Sequence, residues 1–135
     1  MIRPAKNTPE ERSAIDRLLD YGVTHGRLLP RTPQDIERLI GEEHLYVADL
    51  DGAIAGMAAL EVYSERLTEV RSLVVLPEWH GMGIGSALVE RCVEEARRLG
   101  VREVLAITDR IDLFTRVGFR TQLDDQVPLF IKLIS

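Results

Sequence analysis

A mixed β-sheet with helices packed on it, an α/β fold in the order β α α β β β α β α β, is what the sequence predicts, and three observations predict it. Segments rich in β-branched and apolar residues alternate with segments whose apolar residues recur at helical spacing. One pair of strand segments is joined by Asp51-Gly52, a tight-hairpin dipeptide, so those strands run antiparallel. Later strand segments are separated by helices, which makes the sheet mixed. At 135 residues the chain has the size of one domain, expected to span 1–135 without repeats or linkers.

After an apolar start at Ile2, Thr8-Pro9-Glu10-Glu11 combines an N-cap, proline at the first helical position and a glutamate able to complete a capping box. The helix is expected to run to about Tyr21, burying Ile15, Leu18 and Leu19, with Gly22 as its stop. Thr32-Pro33 repeats the start signal, and Ile36, Leu39 and Ile40 form the next apolar face before Gly41. Residues 44–50 and 53–63 read as the hairpin, and 68–76 as a further strand ended by Pro77, which lacks a backbone donor. From 83 to 99, Leu88, Val89, Cys92, Val93, Ala96 and Leu99 fall on one helical face, with Gly100 as the cap. A buried strand over 101–108, a short helix over 111–117 stopped by Gly118, and a last strand over 127–134 complete the pattern.

Composition bounds the function. Seventeen basic against 22 acidic residues give a net charge of −5, which argues against a nucleic-acid partner. No apolar stretch approaches the roughly 20 residues that span a membrane, and the start of the chain has no signal-like apolar region, so a cytoplasmic protein is expected. The single cysteine, Cys92, rules out an intrachain disulfide and reads as a core residue. No metal is expected.

The chemistry-bearing segment is Leu76-Pro77-Glu78-Trp79-His80-Gly81-Met82-Gly83-Ile84-Gly85-Ser86-Ala87, with three glycines at alternate positions between a strand and a helix. Glycine lets backbone approach a ligand, and the first turn of a helix offers unpaired N–H groups at the positive end of its dipole. Taken alone, such a triplet is more often a plain chain reversal. A nucleotide P-loop would need a lysine at the helix start, where Gly85-Ser86-Ala87 stands, and a dinucleotide fingerprint would need glycine where Ser86 stands.

Ser72-Leu73-Val74-Val75-Leu76-Pro77 followed by His80-Gly81-Met82-Gly83-Ile84-Gly85 resembles the acyl-CoA signature of the GNAT acyltransferases, and the resemblance extends over nearly the whole chain. It implies a three-layer fold and acetyl-CoA as acyl donor. Backbone groups of Leu73, Val74 and Val75 would pair with the pantetheine arm, and His80, Gly81, Met82, Gly83, Ile84, Gly85 and Ser86 would hold the pyrophosphate. His80 departs from the Arg or Gln of the signature. Acyl transfer to an amine needs a proton acceptor near the amine and donors near the carbonyl. The resemblance points to Glu69 as the base. Where many relatives carry a tyrosine that protonates the departing thiolate, this chain has Phe114, so Phe114 reads as packing beside the CoA arm and Ser72 as a weaker alternative donor.

Within that superfamily the chain resembles the acetyltransferase domain of N-acetylglutamate synthases, through Gly26-Arg27-Leu28-Leu29-Pro30-Arg31-Thr32 and through Thr108-Asp109-Arg110 ahead of Phe114-x-x-x-Gly118-Phe119. This implies a small amino-acid acceptor, most directly L-glutamate, whose carboxylates would be held by Arg31, Arg71 and Arg110. A partner kinase-like domain, present in larger synthases, is absent from the sequence, and a homodimer is compatible with it. Two other readings stand beside this one: transfer to another small amine or a protein amino group, which would favour an acidic acceptor cleft, and a noncatalytic CoA-binding module.

Overall fold

The computed structural model describes residues 1–26 and 28–134; Arg27, part of the motif read above, lies outside the described residues. Five strands and four helices follow in the order β1 (Ile2–Pro4), α1 (Pro9–Thr24), α2 (Pro33–Gly41), β2 (Leu45–Leu50), β3 (Ala53–Val62), β4 (Leu67–Val75), α3 (Ile84–Leu99), β5 (Glu103–Leu105) and α4 (Ile111–Val117). The strands form one sheet in chain order, antiparallel from β1 to β4 and parallel between β4 and β5. The mixed α/β sheet expected from the sequence is therefore present.

Local chemistry sets the element ends. Thr8 and Thr32 cap α1 and α2 by accepting from the N–H groups of Glu11 and Asp35, with proline at the first turn of each. Asp51 (φ 54°) and Gly52 (φ 94°) make the tight turn between β2 and β3. Gly100 and Gly118 close α3 and α4 in the left-handed conformation.

The sheet separates two apolar layers. Ile15, Leu18, Ile36 and Leu39 of α1 and α2 pack on Leu45, Val47, Met57, Ala59 and Val74 on one face. Leu88, Val89, Cys92 and Ala96 of α3, with Leu113 and Phe114 of α4, pack on Tyr46, Ala58, Leu60 and Val70 on the other. Cys92 is a core residue as expected, and burial pushes its thiol up to about 12, far from a reactive thiolate.

Three expectations are corrected. Gly22 does not stop α1, which runs to Thr24; a Cβ there would meet the Leu28 side chain at 2.4 Å, so the glycine serves packing inside the helix. The strand expected over 101–108 pairs only over Glu103–Leu105. Residues 127–134 belong to no strand, and Leu129, Phe130, Ile131, Leu133 and Ile134 are exposed. Their apolar pattern marks strand propensity, but a strand also needs a partner ladder, and β5 offers three residues across a cavity of about 1020 Å³ bordered by residues 118–124 and 126–128.

Candidate active site

The parallel pairing of β4 with β5 ends at Glu69↔Leu105, where β5 itself ends. Beyond that rung, β4 continues through Val75 with no strand among the described residues on its outer side. The sheet is thus split open along residues 70–75, which include Leu73, Val74 and Val75, the residues expected to pair with the pantetheine arm. Unpaired strand backbone is a template for an extended ligand carrying amide groups.

At the far end of this edge a 3-10 turn, Pro77–Trp79, leads into the glycine segment. Gly81 and Gly83 both have left-handed φ (80° and 78°), and a Cβ at either would have nothing within 4 Å, so conformation and open access explain them. Gly83 is the N-cap of the 16-residue α3, no side chain caps that end, and its first turn holds no acidic residue. The resulting N-terminus offers bare N–H donors and the positive end of the dipole. Gly85 differs, because its Cβ would sit 2.9 Å from the Leu113 side chain. It lets α4 approach α3. Met82 is exposed beside the nest, and Ile84 is buried beneath it.

His80 does not stand free to meet a phosphate. Its Nε2 lies 2.7 Å from the carbonyl oxygen of Val75, so the ring nitrogen donates to that oxygen and ties the turn to the end of β4. Phe114 packs within the α3/α4 layer, edge-on to Phe119 with ring centroids 5.1 Å apart. Trp79 also packs against this layer.

The opposite face carries the ionisable groups. Across β3 and β4, Glu61 faces Glu69 and Ala59 faces Arg71, after which the register shifts so that Ser72 and Leu73 together stand opposite Ala58. The bulge begins only after Arg71, so Glu69 and Arg71 keep a common face as the sequence required. Ser72 adopts φ 57°, at a cost of about 1–2 kcal/mol for a residue with a Cβ. Its hydroxyl oxygen accepts from Arg31 Nε at 2.6 Å, which holds the bulge.

Arg31, with a side chain only 4% exposed, also donates through Nη1 to Asp35 and Glu61, both at 2.9 Å. Arg38 bridges the same two carboxylates. Burial opposes ionisation of Glu61, but hydrogen bonds from Arg38 and Arg31 outweigh it and hold the carboxyl below its ordinary range. One donor of this network has no partner among the described residues: Arg31 Nη2 is buried without a hydrogen bond to them.

Four glutamates are buried: Glu11, Glu61, Glu69 and Glu95. Arg3 holds Glu11, Arg31 and Arg38 hold Glu61, and Arg98 with His44 holds Glu95. Glu69, 9% exposed, has no ion pair among the described residues; it accepts a hydrogen bond from the Tyr63 hydroxyl at 2.5 Å. Arg110 is exposed at the start of α4, and no contact links it to Arg31 or Arg71. The structure therefore gathers Glu69, Arg71, Ser72 and Arg31 on one side of the sheet, and Arg110 stands exposed at the start of α4. Sequence reasoning missed Glu61 and Arg38 and left open whether Tyr63 lines the site; the signal available was the alternation of Glu61 and Tyr63 on the strand facing Glu69.

A sheet split beside a bare helix N-terminus, with an uncompensated carboxylate at the crotch of the split, suits transfer of an acyl group from a long phosphorylated thioester to an amine. The model of the acetyltransferase (GNAT) family matches residues 14–119, and the chain belongs to this family. It is 34% identical over 110 residues to an uncharacterized N-acetyltransferase of Chlorobaculum tepidum, covering 82% of this chain and 70% of the relative. An amino-acid acetyltransferase of Mycobacterium tuberculosis is 39% identical over 71 residues, covering 53% of this chain and 41% of the relative. Among solved structures, the N-acetylglutamate synthase of Neisseria gonorrhoeae, complexed with coenzyme A and N-acetyl-glutamate, superposes with a TM-score of 0.79 at 25% identity. That superposition covers 95% of this chain and 30% of the synthase, so the chain spans under a third of its length. The chain is a GNAT acetyltransferase that uses acetyl-CoA as acyl donor. Among the described residues no three His, Cys, Asp or Glu side chains cluster as a metal site, and no helix is long and apolar enough to cross a membrane.

Proposed function

We propose that this acetyltransferase acts on the amino group of a small acidic amino acid, most directly L-glutamate. The observation that carries the reading is the buried Nη2 of Arg31, which has no hydrogen-bond partner among the described residues. With Nε and Nη1 already bonded to Ser72, Asp35 and Glu61, the two N–H donors of Nη2 are the ones left to offer a carboxylate. Arg71 lies on the same face as Glu69 and supplies a second cation near the base. Arg110, exposed and without an ion pair among the described residues, is the candidate for the distal carboxylate. Resemblance to amino-acid acetyltransferases and to the gonococcal synthase supports the choice of acceptor.

In this reading the pyrophosphate of acetyl-CoA rests on the N–H groups of Met82, Gly83, Ile84, Gly85 and Ser86, and the pantetheine arm runs along Leu73, Val74 and Val75. Glu69 takes a proton from the acceptor ammonium, and the free amine attacks the thioester carbonyl. The carbon–sulfur bond then breaks and CoA leaves as thiolate, and the second proton shed by the nitrogen as the amide forms passes to that thiolate or to solvent. A thiol with an ordinary pKa of about 8.5 is a tolerable leaving group without a dedicated acid. Ser72, whose oxygen already accepts from Arg31, retains its hydroxyl proton to donate toward the carbonyl or sulfur. The packing of Phe114 in the α3/α4 layer agrees with a site that does not use an acid at that position.

The test measures free CoA released from acetyl-CoA with glutamate, aspartate, glutamine, lysine and spermidine supplied separately. Glutamate is expected to be preferred. Arg31→Ala is expected to raise the acceptor KM by an amount worth about 2–5 kcal/mol, with poor rescue by Arg31→Lys because a point charge does not reproduce the fork. Preference for lysine or spermidine would overturn the acceptor assignment and leave the acetyltransferase.

A further inference from the structure

We propose that Tyr63 is a positioning residue for the base: its hydroxyl, through one hydrogen bond, fixes the orientation of the Glu69 carboxylate toward the acceptor amine. The inference rests on the reading of Glu69 as base.

The placement follows from the β3–β4 register. Glu61 stands opposite Glu69, and Tyr63 lies two residues further on, returning to the same face as the chain turns. The Tyr63 N–H donates to the carbonyl of Leu67 at 3.0 Å, so the backbone is fixed two residue pairs from Glu61↔Glu69. The phenol then reaches across to Glu69 Oε1 at 2.5 Å. The side chain is half-exposed, so the hydroxyl lies where the split in the sheet meets solvent and not within either apolar layer.

The chemical contrast with the other buried glutamates gives the contact its meaning. Glu11, Glu61 and Glu95 are each held by arginine, as structural carboxylates are. Such a partner stabilises the ionised form so strongly that the carboxylate becomes a poor proton acceptor. A neutral phenol orients one oxygen and leaves the other available, with a smaller bias against taking a proton. Burial, then the hydrogen bond to Glu69, raises the Tyr63 phenol above its ordinary value, whereas Arg71 acts in the opposite sense. The hydroxyl therefore keeps its proton and stays a donor throughout the neutral range.

Only two atoms of Glu69 are available for the work. With Oε1 held by Tyr63, Oε2 is left to face the amine or a water that carries its proton. Removing the phenol oxygen leaves a buried carboxylate free to rotate, which should reduce the fraction of encounters in productive geometry.

The experiment compares Tyr63→Phe, Glu69→Gln and the double variant by CoA release at saturating acetyl-CoA, with the amine preferred in the acceptor panel. Tyr63→Phe keeps the ring, and its melting temperature is checked beside each rate. The expected result is a fall in kcat of roughly tenfold with the KM for acetyl-CoA within about twofold of wild type, as for a group acting only on the chemical step. In the Glu69→Gln background the same substitution should cost nothing further, because its target is gone. Wild-type kcat in Tyr63→Phe, alongside an impaired Glu69→Gln, would overturn the positioning role and leave Glu69 as base. An equal tenfold loss in both backgrounds would also overturn it. Full activity of Glu69→Gln would overturn the base reading itself, and the proposal with it.

Discussion

Gly83 and Gly85 sit two residues apart in the same segment yet are glycine for different reasons, and substituting each separates ligand binding from packing. Gly83→Val places a branched side chain at φ 78°, where backbone strain costs about 1–3 kcal/mol, but nothing lies within 4 Å of its Cβ. At about 4 °C per kcal/mol for a chain of this size, the melting temperature should fall by roughly 4–12 °C while the fold persists. The effect on CoA is larger. Twisting the entry to α3 turns at least two N–H donors away from the pyrophosphate, and hydrogen bonds to a charged group contribute about 1.5–3 kcal/mol each. A loss of about 3–6 kcal/mol raises Kd more than a hundredfold. Gly85→Ala has no left-handed strain, but its Cβ meets Leu113 at 2.9 Å. It should lower the melting temperature through overpacking by about 1–3 kcal/mol and change CoA affinity little. Calorimetric titration with CoA, run beside thermal melts, reads both quantities. Unchanged CoA affinity in a folded Gly83→Val protein would refute the assignment of the nest.

Glu69→Gln should lower kcat by roughly 10²–10⁴, the usual range for loss of a general base, with CoA affinity retained in titration. His80→Ala should leave CoA affinity nearly intact at neutral pH, because the ring is already bound to the Val75 carbonyl; a large loss would show that the ring reaches phosphate after all. Acid should destabilise the fold. Glu11 and Glu61 are held below their ordinary range against the opposing effect of burial, chiefly by arginine hydrogen bonds, and Glu95 chiefly by its bond to Arg98. Carboxyls lowered in the folded state contribute stability that is present above the unfolded value of about 4.5 and lost as pH falls through the folded values. Chemical denaturation from pH 7 to 3 should therefore show a falling midpoint, and Glu61→Gln should flatten part of that fall; a slope identical to wild type would remove Glu61 from the account.

Signals carried by adjacent residues were legible. The Thr-Pro starts of α1 and α2, the Asp51-Gly52 turn, Gly83 and Gly100 around α3, and the span of α4 each depend on groups within a few residues of one another. What depended on distant backbone was not legible. Gly56 is required because a Cβ there would meet the Val74 carbonyl at 2.7 Å, a fact about β4 that β3 does not encode. Gly22 resembles a helix stop until Leu28 is seen to fill its space. The left-handed Ser72 is invisible in a sequence whose residues 68–76 read as one unbroken strand, since the bulge is held by Arg31, 41 residues earlier. For the same reason the arginines could be named from the sequence but their arrangement could not. Arg31 and Arg71 come to one face, while Arg110 follows the chain to α4.

The bulge explains why donor and acceptor would meet at the split and not on either side of it. The glycine nest opens from α3, whose apolar face packs on one side of the sheet, whereas Glu69, Arg71 and the Arg31 network lie on the side covered by α1 and α2. A regular strand would turn Ser72 away from Arg71 and toward α3, because side chains alternate across a sheet. The inserted residue breaks that alternation, so the Ser72 hydroxyl lies against Arg31 while Leu73 packs with the α3 layer. The bulge thereby keeps Arg71 and Ser72 together on the acceptor side and returns Leu73 to the α3 layer, on the stretch of β4 beyond the end of β5. Ser72→Gly tests this division. Glycine adopts φ 57° without strain, so the melting temperature should hold or rise, whereas the hydroxyl that fixes Arg31 Nε is lost. The acceptor KM is expected to rise with CoA affinity unchanged, measured by CoA release at varied glutamate and by titration. An unaltered acceptor KM would show that Arg31 is held by Asp35 and Glu61 alone, and that the strain at Ser72 serves something other than the acceptor.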